Sequence, residues 1–350
     1  MVPNLRFLKF NQNYETLQLK NTLKIKSGKD QKQVEVENGI YNIYGTGGII
    51  GHTNTFLYDK ESVGIGRKGT IDKPVYFDQP FWTVDTLFYS EIYEGFIPKY
   101  IFYLFQTINW KKYNTSTGVP SLTSSSIENI EKSFPCYDEQ LKVANFLTMI
   151  DMRIETQIKI IDTLSSQKKQ IRNLIFKDIH KNVNCCIQDY VVYEQPQKYI
   201  VHSTDYLSYG KDYIPVLTAN QSFILGYTLE KDGIYEKGDC IIFDDFTNEN
   251  KYVDFPFKVK SSALKILQTK EGLMLKFFYE YLQFLKFEST DHKRHYLSEV
   301  AVTDINVPNL KEQTFVCKVF NSFDSKLKNE EALLEKYRLQ KQFLLNNLFI

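Results

Sequence analysis

"FPCYDEQLKVANFLTMID", residues 134–151, returns 173 positions later as "VPNLKEQTFVCKVFNSFD", residues 307–324. At that offset Pro135 meets Pro308, Glu139-Gln140 meets Glu312-Gln313 and Asp151 meets Asp324. The match runs on to Lys168 with Lys341 and Phe176 with Phe349. Upstream, "YNIYGTGGIIGHT" (41–53) parallels "IPVLTANQSFILGYT" (214–228) with two residues inserted, and "YIFYL" (100–104) parallels "FYEYL" (278–282). Self-similarity at one offset marks a duplicated structural unit. The chain reads as two half-repeats, each a mixed globular part followed by a long helix.

The helices announce themselves by period. Val143, Leu147, Ile150 and Ile154 begin a stripe of alternating four- and three-residue steps that ends at Ile175, and Val316, Phe320, Phe323 and Leu327 begin another that ends at Leu348. Such spacing keeps one face toward a partner helix. The first stripe covers 32 steps, about 48 Å at 1.5 Å per residue. Its polar members are Gln157 and Lys168, and those of the second are Glu330 and Lys341. A parallel in-register pair sets Lys168 against Lys341. An antiparallel pair with Lys168 opposite Glu330 and Gln157 opposite Lys341 avoids that repulsion, so this register is expected. The globular parts carry short β-rich runs between Gly, Asp and Asn turns, each with one apolar helix, near 97–113 and near 273–289. The fold class expected is α+β, with segments 1–134, 135–180, 181–307 and 308–350.

Composition narrows the function classes. Hydrophobic residues make up 43% and aromatics 15% of the 350 residues, which argues for packed domains rather than disorder. No apolar run approaches the roughly 18 residues of a membrane span, and "MVPNLRFLKFNQNYE" lacks the pattern of a secretory leader. Cys136, Cys185, Cys186, Cys240 and Cys317 are odd in number with no CxxC pair, fitting reduced thiols in a cytoplasm rather than a disulfide framework or zinc site. Net charge of +1 gives no global basic excess for nucleic acid. Any such contact must come from local groups such as Lys24, Lys26, Lys29 and Lys32.

"GIGRKGT" (64–70) brings glycines beside cations. A phosphate-binding P-loop requires lysine directly after the second glycine; here Thr70 stands there and Lys68 precedes it. What remains is a glycine turn presenting Arg67 and Lys68 to solvent or to a nucleic-acid backbone. Asp244 and Asp245, followed by Glu249-Asn250-Lys251, imitate a nuclease metal site. The spacing is tight and the first half has no counterpart, so a turn after a buried strand is the better account. "HKRH" (292–295) offers His292 and His295 without companion ligands and reads as a basic loop. Trp82, Tyr44 and Phe88 are expected in the core.

With these segments in this order, the sequence resembles the specificity (S) subunits of type I restriction-modification systems. "IYGTGGIIGHT", "SVGIGRKGTIDKPVYFDQPFWTVDT" and the first helix opening resemble a target-recognition domain with its spacer, and "IIFDDFTNENKYVDFPFKVKSSALKIL" with the second opening resembles another. The resemblance covers essentially the whole chain. It implies two recognition domains held apart by antiparallel helices, binding of a bipartite asymmetric site on double-stranded DNA, and assembly with two methyltransferase (M) subunits and with restriction (R) subunits. It implies no catalysis by this chain, with S-adenosylmethionine, ATP and Mg2+ belonging to the partners. The absence of [ND]PP[YF] and Walker A motifs agrees. Phosphates are gripped by Lys and Arg, and base edges are read by Asn, Gln, Ser, Thr and Arg. The candidates are therefore Thr46, Asn54, Arg67, Lys68 and Thr70 in the first domain. In the second they are Asn220, Gln221, Tyr227, Thr247, Asn248, Lys251, Lys293 and Arg294. A coiled-coil scaffold joining two protein-binding modules is the alternative from another class.

Overall fold

The computed structural model describes residues 3–219, 222–287 and 295–350. The chain forms two compact units, Met1–Lys159 with Glu331–Ile350, and Ile160–Glu330.

In unit 1, "LKIKS" buries Leu23 and Ile25 while Lys24 and Lys26 face outward, the period of two that a half-buried strand requires. The strands are β1 (Glu15–Gln18), β2 (Leu23–Ser27), β3 (Tyr41–Gly45), β4 (Gly48–Thr53), β5 (Ser62–Gly66), β6 (Val75–Phe77), β7 (Trp82–Thr83), β8 (Leu87–Ile92) and β9 (Glu131–Phe134). They form sheets ordered β1-β9, β4-β3-β7 and β2-β8-β5-β6, with only β3 and β7 parallel among these pairs. Helix α1 (Pro98–Thr107) starts on a proline, whose missing N–H costs nothing at that position. It buries Tyr100, Ile101, Tyr103, Leu104 and Phe105, each contributing about 1.5–3 kcal/mol of apolar transfer. A short α2 (Ser124–Glu128) precedes β9, and α3 spans Tyr137–Ile179. Trp82 and Phe88 are buried and Tyr44 is half-buried against Phe77.

In unit 2, β10 (Cys185–Cys186) and α4 (Ile187–Tyr190) lead to β11 (Val191–Glu194), β12 (Ile214–Leu217), β13 (Ile224–Thr228), β14 (Cys240–Asp244), β15 (Asn250–Val253), β16 (Lys258–Val259) and β17 (Leu264–Thr269). Helix α5 (Leu275–Leu285), strand β18 (Asp304–Ile305) and α6 (Leu310–Leu348) complete the elements. Its sheets are ordered β10-β18, β13-β12-β16 and β11-β17-β14-β15, with β12 and β16 parallel. Strand for strand, the order is that of unit 1. Among the described residues no helix is long and apolar enough to cross a membrane.

The repeated Gln140 and Gln313 do the same work in each unit. Gln140 Nε2 donates to Pro135 O at 3.0 Å, and its Oε1 accepts from Ile97 N at the start of α1. Gln313 Nε2 donates to Pro308 O at 2.8 Å, and its Oε1 accepts from Met274 N at the start of α5. Each buried amide thus satisfies orphan groups at two helix openings at once.

Within each unit the two long-helix segments run antiparallel, but the layer expected for the lysines is corrected. Lys168 Nζ lies 2.5 Å from Asp324 Oδ1 and 3.2 Å from Glu280 Oε1, in place of Glu330. Lys341 Nζ lies 2.7 Å from Asp151 Oδ1, in place of Gln157. Glu330 is six residues beyond Asp324 along α6, so the pairing is displaced by almost two turns. The cause is a third helix in each layer. Tyr103 of α1 donates to Asp151 Oδ2 at 2.8 Å, while Lys276 of α5 reaches Asp324 Oδ2 at 2.5 Å and Arg172 reaches Glu280 Oε2 at 2.7 Å. Polar positions settle against the globular part as well as against the partner helix.

Candidate nucleic-acid interface

The segment leaving β5 is built by close packing. A Cβ on Gly64 would meet the Phe77 ring at 2.7 Å, and one on Gly66 would meet Thr70 O at 2.0 Å. These two glycines therefore serve the core and the turn rather than a phosphate cradle. Gly69, with φ of +84°, makes the turn itself. Main-chain bonds fix the result: Arg67 N and Lys68 N both donate to Thr86 O, at 2.7 and 3.3 Å, Gly69 N donates to Pro120 O, and Leu122 N donates to Arg67 O.

On this frame Arg67 lays its guanidinium 6.0 Å from the Phe88 ring centroid and donates through Nη1 to Asp85 O at 3.4 Å. Lys68 is exposed. Together with Ser27, Ser121, Thr123 and Ser124 they line a groove of about 310 Å3. Two cations and four hydroxyls in one groove offer donors for phosphate and adaptable partners for base edges. Three of the hydroxyls come from the polar run 114–126, which nothing in the sequence places beside Arg67, and the fourth, Ser27, ends β2.

Other candidates divide. Thr46, at the β3–β4 tip, has its Oγ1 3.9 Å from the Cβ position of Gly69. Thr70 lines an adjoining cavity of about 410 Å3 with Asp72, Lys111 and Asn114. Asn54 sits on another turn, its Oδ1 accepting from Ile40 N at 3.2 Å. Of the lysine group, Lys24 pairs with Glu128 and Lys26 with Glu91, both at 3.3 Å, so only Lys29 and Lys32 keep exposed ammonium groups without an ion pair among the described residues.

In unit 2 the same strand end holds different chemistry. Asp245 N donates to Ala263 O and His295 N donates to Asp245 O, the counterparts of the Arg67 bonds. The Asp245 side chain is buried, 3.2 Å from the equally buried Lys265 Nζ, and accepts from Tyr296 N at 2.9 Å. Lys265 in turn lies 4.6 Å from the Tyr193 ring centroid. Asp244 Oδ1 accepts from Phe246 N and Thr247 N, both at 3.0 Å. Both carboxylates are engaged within the fold, Asp244 by the turn and Asp245 by Lys265 and Tyr296. Thr247 is exposed, Lys251 is half-buried on β15, and Tyr227 is half-buried on β13 edge-on to exposed Tyr209 at 5.3 Å. Asn248 departs from the expected outward placement: its φ is +59° and its side chain is 4% exposed. His295 is buried with Nδ1 3.0 Å from Glu299, within an α-turn pairing rather than on an open basic loop. Asn220, Gln221, His292, Lys293 and Arg294 lie outside the described residues.

Among the described residues, His202, Glu230 and Asp232 form the one group with metal-ligand types within 4.8 Å. Glu230 is already held by Lys258 at 2.8 Å and by His202 N and Ser203 N. Burial opposes its ionisation, yet these bonds outweigh burial and keep its pKa below the ordinary value. The group is a turn clasp.

Residues 11–165 match the family model described as the Type I restriction modification DNA specificity domain. The chain is 48% identical over 122 residues to the Type I restriction enzyme EcoR124I/EcoR124II specificity subunit of Escherichia coli, covering 33% of this chain and 30% of that protein. It is 25% identical over 235 residues to the MjaIX specificity subunit of Methanocaldococcus jannaschii, covering 64% and 52% respectively. The matches thus span about a third and about half of those relatives. In fold it is similar to a type I S subunit from M. genitalium, with a TM-score of 0.68 at 18% identity over 100% of this chain and 99% of the other. A chain from a structure on complex assembly of the type I R-M system gives 0.54 at 10% identity, over 97% and 98%. In local sequence and in fold, this chain resembles the specificity subunits of type I restriction-modification systems.

Proposed function

We propose that the chain is the DNA-recognition subunit of a type I restriction-modification complex, reading a bipartite, asymmetric duplex site and positioning M and R subunits on it. The observation that carries this reading is one frame bearing two chemistries. The same strand order and loop bonds support Arg67 on Phe88 in unit 1 and a buried Asp245–Lys265 pair in unit 2. Two modules with different reading surfaces suit two different half-sites. The antiparallel helices serve as the spacer. The chain supplies no catalysis, and S-adenosylmethionine, ATP and Mg2+ act on the partners.

The test is selection of randomised duplexes by the chain co-purified with an M subunit. Two separated, dissimilar half-sites are expected, with affinity falling steeply as salt rises. A single contiguous site accounting for all specificity would overturn the bipartite reading. The scaffold reading is favoured by the neutralised Lys24 and Lys26, and absence of any sequence-selective binding would establish it.

A further inference from the structure

The repeat exposes a vacancy in unit 2 by filling its counterpart in unit 1. In unit 1 a strap, residues 4–7, lies where α6 ends beside the start of α3. Leu5 N donates to Asn347 O at 2.9 Å, and Asn4 Nδ2 donates to Asn347 Oδ1 at 3.2 Å. Arg6 grips the Glu139 carboxylate with two bonds, Nε at 2.9 Å and Nη2 at 2.8 Å, and Tyr14 donates to the same carboxylate at 3.1 Å. Glu139 is 1% exposed beneath them. Phe7 packs edge-on against Phe146 at 5.7 Å.

Moving 173 residues along carries Glu139 to Glu312, Lys142 to Phe315, Phe146 to Val319 and Asn347 to Leu174. Of these, Leu174, Glu312 and Phe315, with Asp178 and Asn309, surround an open groove of about 1020 Å3 within unit 2. Leu174 is 72% exposed and Phe315 is 67% exposed. The Glu312 carboxylate is exposed and has no hydrogen bond or ion pair among the described residues. Large apolar side chains rarely stand this open in a groove unless something covers them.

We infer that this groove docks an extended segment of a partner polypeptide in which an arginine is followed by an aromatic residue. The arginine forks onto Glu312, as Arg6 does onto Glu139, and the aromatic ring covers Phe315 and Leu174. Charge complementarity chooses the arginine, since a planar guanidinium matches a carboxylate bidentately. Replacement of Lys142 by Phe315 makes this floor more apolar than its unit 1 counterpart, which favours an aromatic neighbour. The inference is independent of what the strand-end loops bind.

The probe is a fluorescein-labelled peptide with the sequence of residues 3–14, titrated into the full chain and followed by anisotropy. Saturable binding is expected. Glu312→Lys and Phe315→Ser, both on exposed residues and checked for an unchanged melting temperature, should each weaken it at least about tenfold. A peptide carrying Arg6→Glu should fail on the wild type and recover binding on Glu312→Lys. No saturable binding, or binding indifferent to both chain variants, overturns the inference. A dimer that sediments as such and dissolves in Glu312→Lys would assign the groove to the strap of a second copy and overturn the partner-chain occupant.

Discussion

Lys168 Nζ stands 2.5 Å from Asp324 Oδ1, and the repeat makes the same contact twice. Its counterpart is Lys341 with Asp151, at 2.7 Å. Each pair joins the two long helices within one unit. Each is completed from the globular helix, by Lys276 and Glu280 in unit 2 and by Tyr103 in unit 1. A cationic side chain on one helix therefore finds its acid on the other at an equivalent place in both units.

Lys341→Glu sets a carboxylate against Asp151 in a layer that is about three-quarters buried. Stability should fall by roughly 2 kcal/mol, between the values for exposed and buried pairs. Adding Asp151→Lys should restore at least half of the loss. Urea melts of the four proteins of this cycle measure it, and strictly additive effects would refute the pair.

Acid should loosen unit 2 through Asp324. Burial opposes its ionisation, but hydrogen bonds from Lys168 and Lys276 outweigh burial and hold its pKa below the ordinary carboxylate value. Its contribution is complete above about pH 4 and disappears as pH falls through the lower folded value. The stability gap between wild type and Asp324→Asn should therefore close between about pH 5 and pH 2. A gap constant over that range would contradict the assignment.

Gly66→Ala should destabilise unit 1 by about 1–3 kcal/mol, because the obstacle is the backbone oxygen of Thr70, which has no rotamer to move aside. Gly69→Ala should also cost stability, through its positive φ alone. Thermal melts rank the two, with Gly66 the worse.

Arg67→Ala with Lys68→Ala should weaken DNA binding by the M-associated chain across all sequences and flatten its salt dependence by about one charge each. The melting temperature should hardly change, since Lys68 is exposed and Arg67 makes one long hydrogen bond. Gel shifts at several salt concentrations provide the measurement; undiminished affinity would remove these residues from the interface.

Asp245→Asn leaves Lys265 buried without its counter-ion. Removing one partner of such a pair typically costs about 3–5 kcal/mol. The expected outcome is a lower melting temperature with no change in any metal-dependent cleavage, which a nuclease carboxylate would have abolished.

The duplication and the long helices were legible because periodicity and offset survive in one dimension. The lysine register was not. Stripe logic pairs residues that share a heptad position, whereas Asp151 and Asp324 sit one step off the stripe and are chosen by side chains of α1 and α5 that no helical period encodes. Similarly, Gln140 and Gln313 stood out as repeated letters, but their role as clasps depends on Ile97 N and Met274 N, some 40 residues away. The groove around Arg67 was half visible: the cations lie in a motif, while Ser121 and Thr123 arrive from a loop whose composition says only that it is polar. Asn248 misled because a polar residue in a turn usually faces water, and here left-handed backbone turns it inward.

Residues 331–350 belong to unit 1, where Leu344, Leu345, Leu348 and Phe349 join the core around Tyr100 and Leu147. Unit 2 is one continuous stretch, 160–330. On a ribosome, therefore, every residue of unit 2 has been synthesised before unit 1 receives its closing helix. Domains ordinarily fold in the order of their emergence, but here the last piece of the first-made module is encoded after the whole of the second. Premature termination just after residue 330 would therefore leave unit 2 whole and strip unit 1 of Leu344, Leu345, Leu348 and Phe349.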